Sequence, residues 1–384
     1  MIAFIGARLF DGDGFLDDSA VVVENGEIAA ITPHGERPRG GVAVDLGGGL
    51  LSPGFVDWQV NGGGGILFNE TPTPEGIDAI VRAHLAFGTT SMLPTIVTDA
   101  PLKLRAGIEA AREARRRTPG ALGIHIEGPF IDLRRKGAHP AEWIRPMRDA
   151  DALELAEGRA GVMLVTLAPS SVSNHLIAEL VRSGIIVSLG HSEATAEEAH
   201  NAFDAGARAV THLYNAMSQL GHRAPGLVGA ALADPRVVCG LIADGLHVHE
   251  TAARIAYKVK GAGGIALVSD AMPSAAGGPR SFELQGRLVT QTGLKLTLDD
   301  GTLAGAAITM LDAVRYANSV LGIDLAASLE MATLTPARLL GIDGSYGRLR
   351  RGARADLVHL DDNLELRGVW VDGIAVEPAC GSSR

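Results

Sequence analysis

The feature that most constrains this chain is an alternation. Eight short apolar runs, each ending in a polar residue or a Gly/Pro stop, are separated mostly by helical patterns. The runs cover residues 54–61, 89–95, 122–127, 162–168, 185–191, 209–212, 238–244 and 265–270. Helical spacing fills most gaps, at 74–87, 101–117, 173–182, 196–205 and 251–260, and 310–321 follows the last run. Strands buried on both faces read as continuous apolar runs, and strands alternating with helices imply a parallel sheet. Eight such units close as a (β/α)8, TIM-like barrel of the α/β class, with its reactive side chains at the carboxyl ends of the strands.

Those ends carry Gln59 and Asn61, Glu127, His191, His212, His247 and Asp270. In Gly123-Ile124-His125-Ile126-Glu127-Gly128-Pro129-Phe130 an apolar strand ends in a carboxylate and breaks at Gly-Pro. An unpaired charge at the edge of a packed interior is costly, so Glu127 needs a partner, and a metal ion is the obvious one. His191 and His212 end the fifth and sixth runs. A single strand-end histidine is ordinarily just hydrogen-bonded; two imidazoles and a carboxylate on separate barrel strands suit a catalytic divalent metal that acidifies water. Asp270 ends the eighth run, where a carboxylate beside that water can take its proton and return one to a leaving amine.

The flanks read differently. Residues 1–50 are strand-like, with an Asn25-Gly26 hairpin turn, and β patterns return after residue 345. Pairing the two ends gives the expected organisation: residues 1–50 with 345–384 as a small β-sandwich domain, and 51–344 as the barrel. A short antiparallel insertion at about 280–303 interrupts the barrel.

Net charge is −10 with both signs interspersed, which argues against nucleic acid, whose phosphates are met by clustered Lys and Arg. Cys239 and Cys380 lie far apart and form no C-x-x-C pair, pointing to a reducing cytoplasm. The first ten residues read as a strand rather than a signal peptide, and no run approaches the roughly 18 apolar residues of a membrane span. His34, His84, His175, His200 and His359 read as surface or packing residues. The Gly62–65 run reads as a flexible active-site loop, since no phosphate-cradle motif surrounds it. Arg115, Arg116 and Arg117 read as a solvated helix end.

At the level of motifs the chain resembles the N-acetylglucosamine-6-phosphate deacetylase family of the amidohydrolase superfamily. The resemblance is carried by residues 53–62, His125-Ile126-Glu127-Gly128-Pro129-Phe130 and Lys136-Gly137-Ala138-His139. Further along it is carried by Gly190-His191-Ser192, residues 211–217, Arg223-Ala224-Pro225-Gly226, Asp244-Gly245-Leu246-His247 and Ser269-Asp270-Ala271-Met272. It implies Glu127, His191 and His212 as metal ligands, Asp270 as general base and acid, and His139 as the group that steadies the oxyanion. It implies contacts to the amino sugar or its phosphate from Ala138, Asn215, Ala216, His247 with its neighbour Asp244, and a loop at Leu303, Ala304 and Gly305. Arg223 would reach the phosphate of a neighbouring subunit in a homodimer or higher oligomer.

The implied reaction is metal-dependent hydrolysis of the N-acetyl group of N-acetylglucosamine 6-phosphate. Its rivals are the galacto epimer, another amidohydrolase reaction, and a non-catalytic sugar- or metal-binding scaffold. Where many amidohydrolases have His-x-His, this chain has Gln59-x-Asn61. Amides are poor ligands for a zinc-type ion, so one divalent metal per subunit is expected. Zinc is the first choice; iron, manganese or cobalt would also accept the set.

Overall fold

The fold is given by a computed structural model that describes residues 1–33 and 41–377; His34 and Cys380 lie outside them. Eight parallel strands form the central sheet: β1 (Phe55–Val60), β2 (Thr89–Val97), β3 (Gly123–Glu127), β4 (Val162–Leu167), β5 (Ile186–Leu189), β6 (Ala209–Val210), β7 (Val238–Leu241) and β8 (Ile265–Leu267). Each pairs with its sequence neighbour, so the order around the sheet is the order along the chain. The seam closes through a parallel bridge between Val60 and Ala271, whose carbonyl accepts from Asn61 N and Gly62 N, both at 2.9 Å. Asp57 seals the same seam from within, accepting from Ser269 N at 3.2 Å and from the Ser269 hydroxyl. Burial pushes the Asp57 carboxyl up to about 7, against those bonds.

Helices α1 (Pro74–Leu85), α2 (Pro101–Arg117), α3 (Asp149–Glu157), α4 (Asn174–Arg182), α5 (Ala196–Asp204), α6 (Gly226–Ala233), α7 (Glu250–Lys260) and α8 (Met310–Ser319) cover the barrel. Their starts follow local chemistry: Thr73, Ser173, Thr195 and Thr309 each accept a first-turn amide proton. Two of them the helical spacing does not announce. In α6, Gly226, Leu227, Val228, Ala230, Ala231 and Leu232 are all buried, so there is no polar face to create a period. Helix α3 is nine residues long and buries only Asp151, Ala152 and Leu155.

The apolar runs also overshoot several strands. Strands β5, β6 and β8 end at Leu189, Val210 and Leu267, and the polar residues expected at their ends lie two or three positions beyond. There His191, His212 and Asp270 adopt left-handed backbone, with φ of 46°, 33° and 48°. Non-glycine residues are rare in this region, and its occurrence at three convergent polar residues marks backbone held off its preferred path where the side chains meet.

Two sheets make the small domain. One runs Ile374–Ala375, Leu366–Val371, Leu357–Leu360, Leu50–Pro53, Arg8–Phe10, Phe15–Leu16; the other Glu27–Pro33, Ser19–Glu24, Ile2–Ile5, Val42–Asp45. They share a core of Phe4, Leu9, Val21, Val23, Ile28, Leu51 and Leu357, so both chain ends build one β-sandwich. The insertion after β8 is a four-stranded antiparallel sheet: β9 (Ser281–Leu284), β10 (Arg287–Thr292), β11 (Lys295–Leu298) and β12 (Leu303–Ala306). Leu303, Ala304 and Gly305, expected in a loop, are therefore on a strand paired with β11. The Gly62–65 run likewise forms a tight hairpin, with Gly62–Gly63 pairing Ile66–Leu67.

Close packing at β3 gives a direct test of the barrel. A Cβ on Gly123 would stand 1.9 Å from the Val162 carbonyl oxygen. Gly123→Ala is expected to cost about 1–3 kcal/mol, read as a lower denaturant midpoint with an unchanged slope.

Candidate active site

Three side chains from three places on the barrel rim meet at one atom. Glu127, the last residue of β3, turns Oε1 to within 3.1 Å of His191 Nε2 and 2.9 Å of His212 Nε2. The two ring nitrogens are themselves 3.1 Å apart. His191 Nδ1 lies 2.8 Å from the Arg135 carbonyl, which can only accept, so in the neutral ring Nδ1 carries the proton and Nε2 a lone pair. That lone pair points at a carboxylate oxygen. Such convergence of two ring nitrogens and a carboxylate oxygen in a buried spot, with one ring oriented by a backbone carbonyl, fits a divalent cation. Burial works to raise the Glu127 carboxyl, but the His191 and His212 rings packed against it hold it well below its usual range.

Asp270 stands beside this group. Its Oδ1 accepts from Asn61 Nδ2 at 2.7 Å and Gln59 Nε2 at 3.2 Å, and Gln59 Nε2 also approaches both Glu127 oxygens at 3.4 Å. Carboxylates only accept here, so both amides must turn their NH2 groups toward them. Gln59 and Asn61 thus clamp the two carboxylates. Burial, and next the charge of Glu127, push the Asp270 carboxyl up to about 6, within reach of neutral pH.

These groups open into a cavity of about 400 Å³ lined by Asn61, Glu127, Ala138, His139, His191, His212, Asn215, Ala216, His247, Asp270, Leu303, Ala304 and Gly305, among others. His139 lies against His191, ring centroids 4.3 Å apart, and its Nδ1 is 2.7 Å from Thr98 Oγ1. It too belongs to the cluster: Glu127, His139 and His191 each bring a ligand-type atom within 4.8 Å of the others. Burial, then the neighbouring His191, hold its ring well below the usual imidazole range, so it is neutral.

Known proteins match this chain along nearly its whole length. The profile of the amidohydrolase family matches residues 50–376, and that of the NagA composite domain matches residues 1–51. The chain belongs to the amidohydrolase family. It is similar to an N-acetylgalactosamine-6-phosphate deacetylase of Shewanella sp. (strain ANA-3), 39% identical over 97% of this chain and 95% of that protein. It is also similar to an N-acetylglucosamine-6-phosphate deacetylase of Haemophilus influenzae, 35% identical over 97% and 98%. Among solved structures, the N-acetylglucosamine-6-phosphate deacetylase of Pasteurella multocida superposes with a TM-score of 0.94 at 36% identity, covering 97% of this chain and 99% of that one.

Within this amidohydrolase site the remaining expected residues fall into two groups. His247 lines the cavity with Nδ1 held 2.7 Å from Asp244 Oδ2, and Asp244 sits behind it rather than on the cavity wall. Burial pushes Asp244 up, yet the bonds from His247 outweigh it and keep the carboxyl low. Arg223 is not brought into the cavity of its own chain: it is exposed, and no ion pair among the described residues involves it. Of the histidines set aside earlier, the four among the described residues stay outside the site. His84 is fully buried with Nε2 2.9 Å from the Gly62 carbonyl, His359 Nε2 lies 2.9 Å from the Gly48 carbonyl, His200 Nδ1 contacts the Ala196 carbonyl, and His175 pairs with Glu179.

Sequence reasoning passed over Thr98. The second apolar run stops at Thr95, but β2 continues through Ile96 and Val97, which places Thr98 at the rim like the other site residues. Extending the run over those two apolar residues is the signal that finds it. Leu284 and Thr302 also line the cavity, and nothing in their local sequence marks them.

Proposed function

We propose that this amidohydrolase removes the N-acetyl group of N-acetylglucosamine 6-phosphate, yielding glucosamine 6-phosphate and acetate. The observation that carries the reading is the meeting of Glu127 Oε1 with the His191 and His212 Nε2 atoms beside a carboxylate tuned to about 6. Glu127, His191 and His212 would hold one divalent ion, zinc by preference, which when bound polarises the amide carbonyl and acidifies water. We assign the ligand set to these three because both Nε2 atoms meet Glu127 Oε1 directly, at 3.1 and 2.9 Å. The amide clamp supports a single metal, because Gln59 and Asn61 turn N–H groups, which cannot ligate a cation, toward the carboxylates.

Asp270 takes a proton from the attacking water and delivers one to the sugar nitrogen as the C–N bond breaks. His139 donates to the carbonyl oxygen as negative charge develops there. Ala138, Asn215, Ala216, Leu303, Ala304 and Gly305 face the sugar, and His247, steadied by Asp244, faces the phosphate. Arg223, exposed and without an ion-pair partner among the described residues, suits delivery to the phosphate of a second copy, in a cytoplasmic homodimer. Arg223→Ala is expected to raise KM for the phosphorylated sugar about tenfold or more, the loss of a charged hydrogen bond, and to leave the unphosphorylated sugar unaffected. Equal effects on both sugars would remove the assignment.

The 39% identity to a relative named for N-acetylgalactosamine 6-phosphate supports a second reading, the galacto epimer. Comparing kcat/KM on the two epimers decides: the proposal expects the gluco epimer to be preferred, and a preference for the galacto epimer overturns it.

A further inference from the structure

The histidine proposed to steady the oxyanion is gripped by a residue outside the expected site. Thr98, the first residue after β2, is 1% exposed, and its hydroxyl lies 2.7 Å from His139 Nδ1. A hydroxyl has one proton to give. Its other acceptor in reach is the Glu127 carbonyl at 3.4 Å, the outer edge of hydrogen-bond length. His139 Nδ1, at 2.7 Å, is much the nearer acceptor, so Thr98 gives its proton there and Nδ1 accepts. A neutral ring whose Nδ1 accepts carries its one proton on Nε2.

The surroundings hold this contact from both sides. A Cβ on Gly128, whose φ is +82°, would stand 2.1 Å from the Thr98 hydroxyl, so the hydroxyl's place depends on glycine there. From the insertion, the turn between β9 and β10 reaches down to the barrel rim. Gln285 Nε2 donates to the Thr98 carbonyl at 2.6 Å and to Asp99 Oδ2 at 3.2 Å, and Arg287 donates to the Ala138 carbonyl. The backbone on each side of the Thr98–His139 contact is thus tied to one inserted element.

The tautomer separates two roles for His139. With the proton on Nε2 it donates to an oxygen; with the proton on Nδ1, Nε2 is a lone pair that would join the metal cluster as a further ligand. We propose that Thr98, anchored by Gln285, is a positioning residue that fixes His139 in the Nε2–H form and so makes it an oxyanion donor rather than a ligand. This rests on the reading of His139 given above, and the test keeps the two apart.

Long-range 1H–15N correlation spectra of the zinc-loaded, 15N-histidine-labelled protein report each ring nitrogen, with His139 assigned by its disappearance in His139→Gln. The expected result is a protonated Nε2 and a bare Nδ1; the reverse pattern overturns the proposal without any Thr98 variant. Thr98→Val keeps the branched shape and deletes the hydroxyl. It is expected to lower kcat about 100-fold, as loss of one oxyanion donor does, with KM little changed and the single-tautomer signature lost. Thr98→Ser is expected to restore both. A Thr98→Val protein with normal turnover and an unaltered His139 signature contradicts the proposal. Normal turnover in His139→Gln would instead remove the oxyanion role, while the spectra still report whether Thr98 sets the tautomer.

Discussion

Replacing Asp270 by asparagine is expected to lower kcat on N-acetylglucosamine 6-phosphate by about 10²–10⁴-fold, the range for removing a general acid–base group. Metal content should be unchanged. Asparagine has nearly the same shape, and its carbonyl oxygen can accept from Asn61 Nδ2 and Gln59 Nε2, the two donors that hold Asp270 Oδ1. What it cannot do is take up a proton. The pH dependence follows with a definite sign. A base must be ionised, so kcat/KM should fall as pH drops through the Asp270 pKa, pushed up to about 6 by burial and by Glu127. A bound cation pulls that value down, so the acid limb of the metal-loaded enzyme should lie at or below about 6. The residual activity of Asp270→Asn should lack that limb. Near-normal turnover in the variant would remove Asp270 from the chemistry.

Glu127→Gln is expected to have the second large effect, on metal content and turnover together. The carboxylate is the only charged member of the ligand trio and the one atom both imidazoles meet, at 3.1 and 2.9 Å. Neutralising it removes the charge that makes the cluster attractive to a cation. Elemental analysis should fall from one metal per subunit toward zero, and turnover by about 10³-fold, several kcal/mol of lost charge stabilisation. Chelation of the unaltered chain should mimic this, with recovery on adding the metal back. Two tightly bound metals per subunit in the unaltered chain would contradict the single-ion reading, and with it the role given to Gln59 and Asn61.

Much of this architecture is legible in the sequence because buried parallel strands leave a strong trace. All eight apolar runs correspond to barrel strands, and the Asn25-Gly26 turn sits in a hairpin with φ of 52° and 82°. The errors have physical causes. Runs continue past β5, β6 and β8 because the residues at the rim are themselves buried, so hydrophobicity does not mark where hydrogen bonding stops. Helix α6 hides because it is apolar on nearly every side, and Ala304 and Gly305 hide on a strand because small residues carry little β signal. At the site, residue type and strand-end position single out Glu127, His191, His212 and Asp270, which the fold gathers into one cavity. What the sequence does not show is the layer around them: the amides turned onto two carboxylates, the Arg135 carbonyl on His191, the hydroxyl on His139 and the hairpin tip above it. Those are contacts between residues up to 211 positions apart, and only the closed barrel brings them together.

The central claim is a metal-dependent cleavage of an acetamide on a phosphorylated amino sugar. The most direct test is acetate release from N-acetylglucosamine 6-phosphate by the metal-free chain and by the same preparation after metal is restored. One acetate per glucosamine 6-phosphate is expected from the restored protein and essentially none from the metal-free one. Undiminished release without metal, or no release from the restored protein on either epimer, would contradict it.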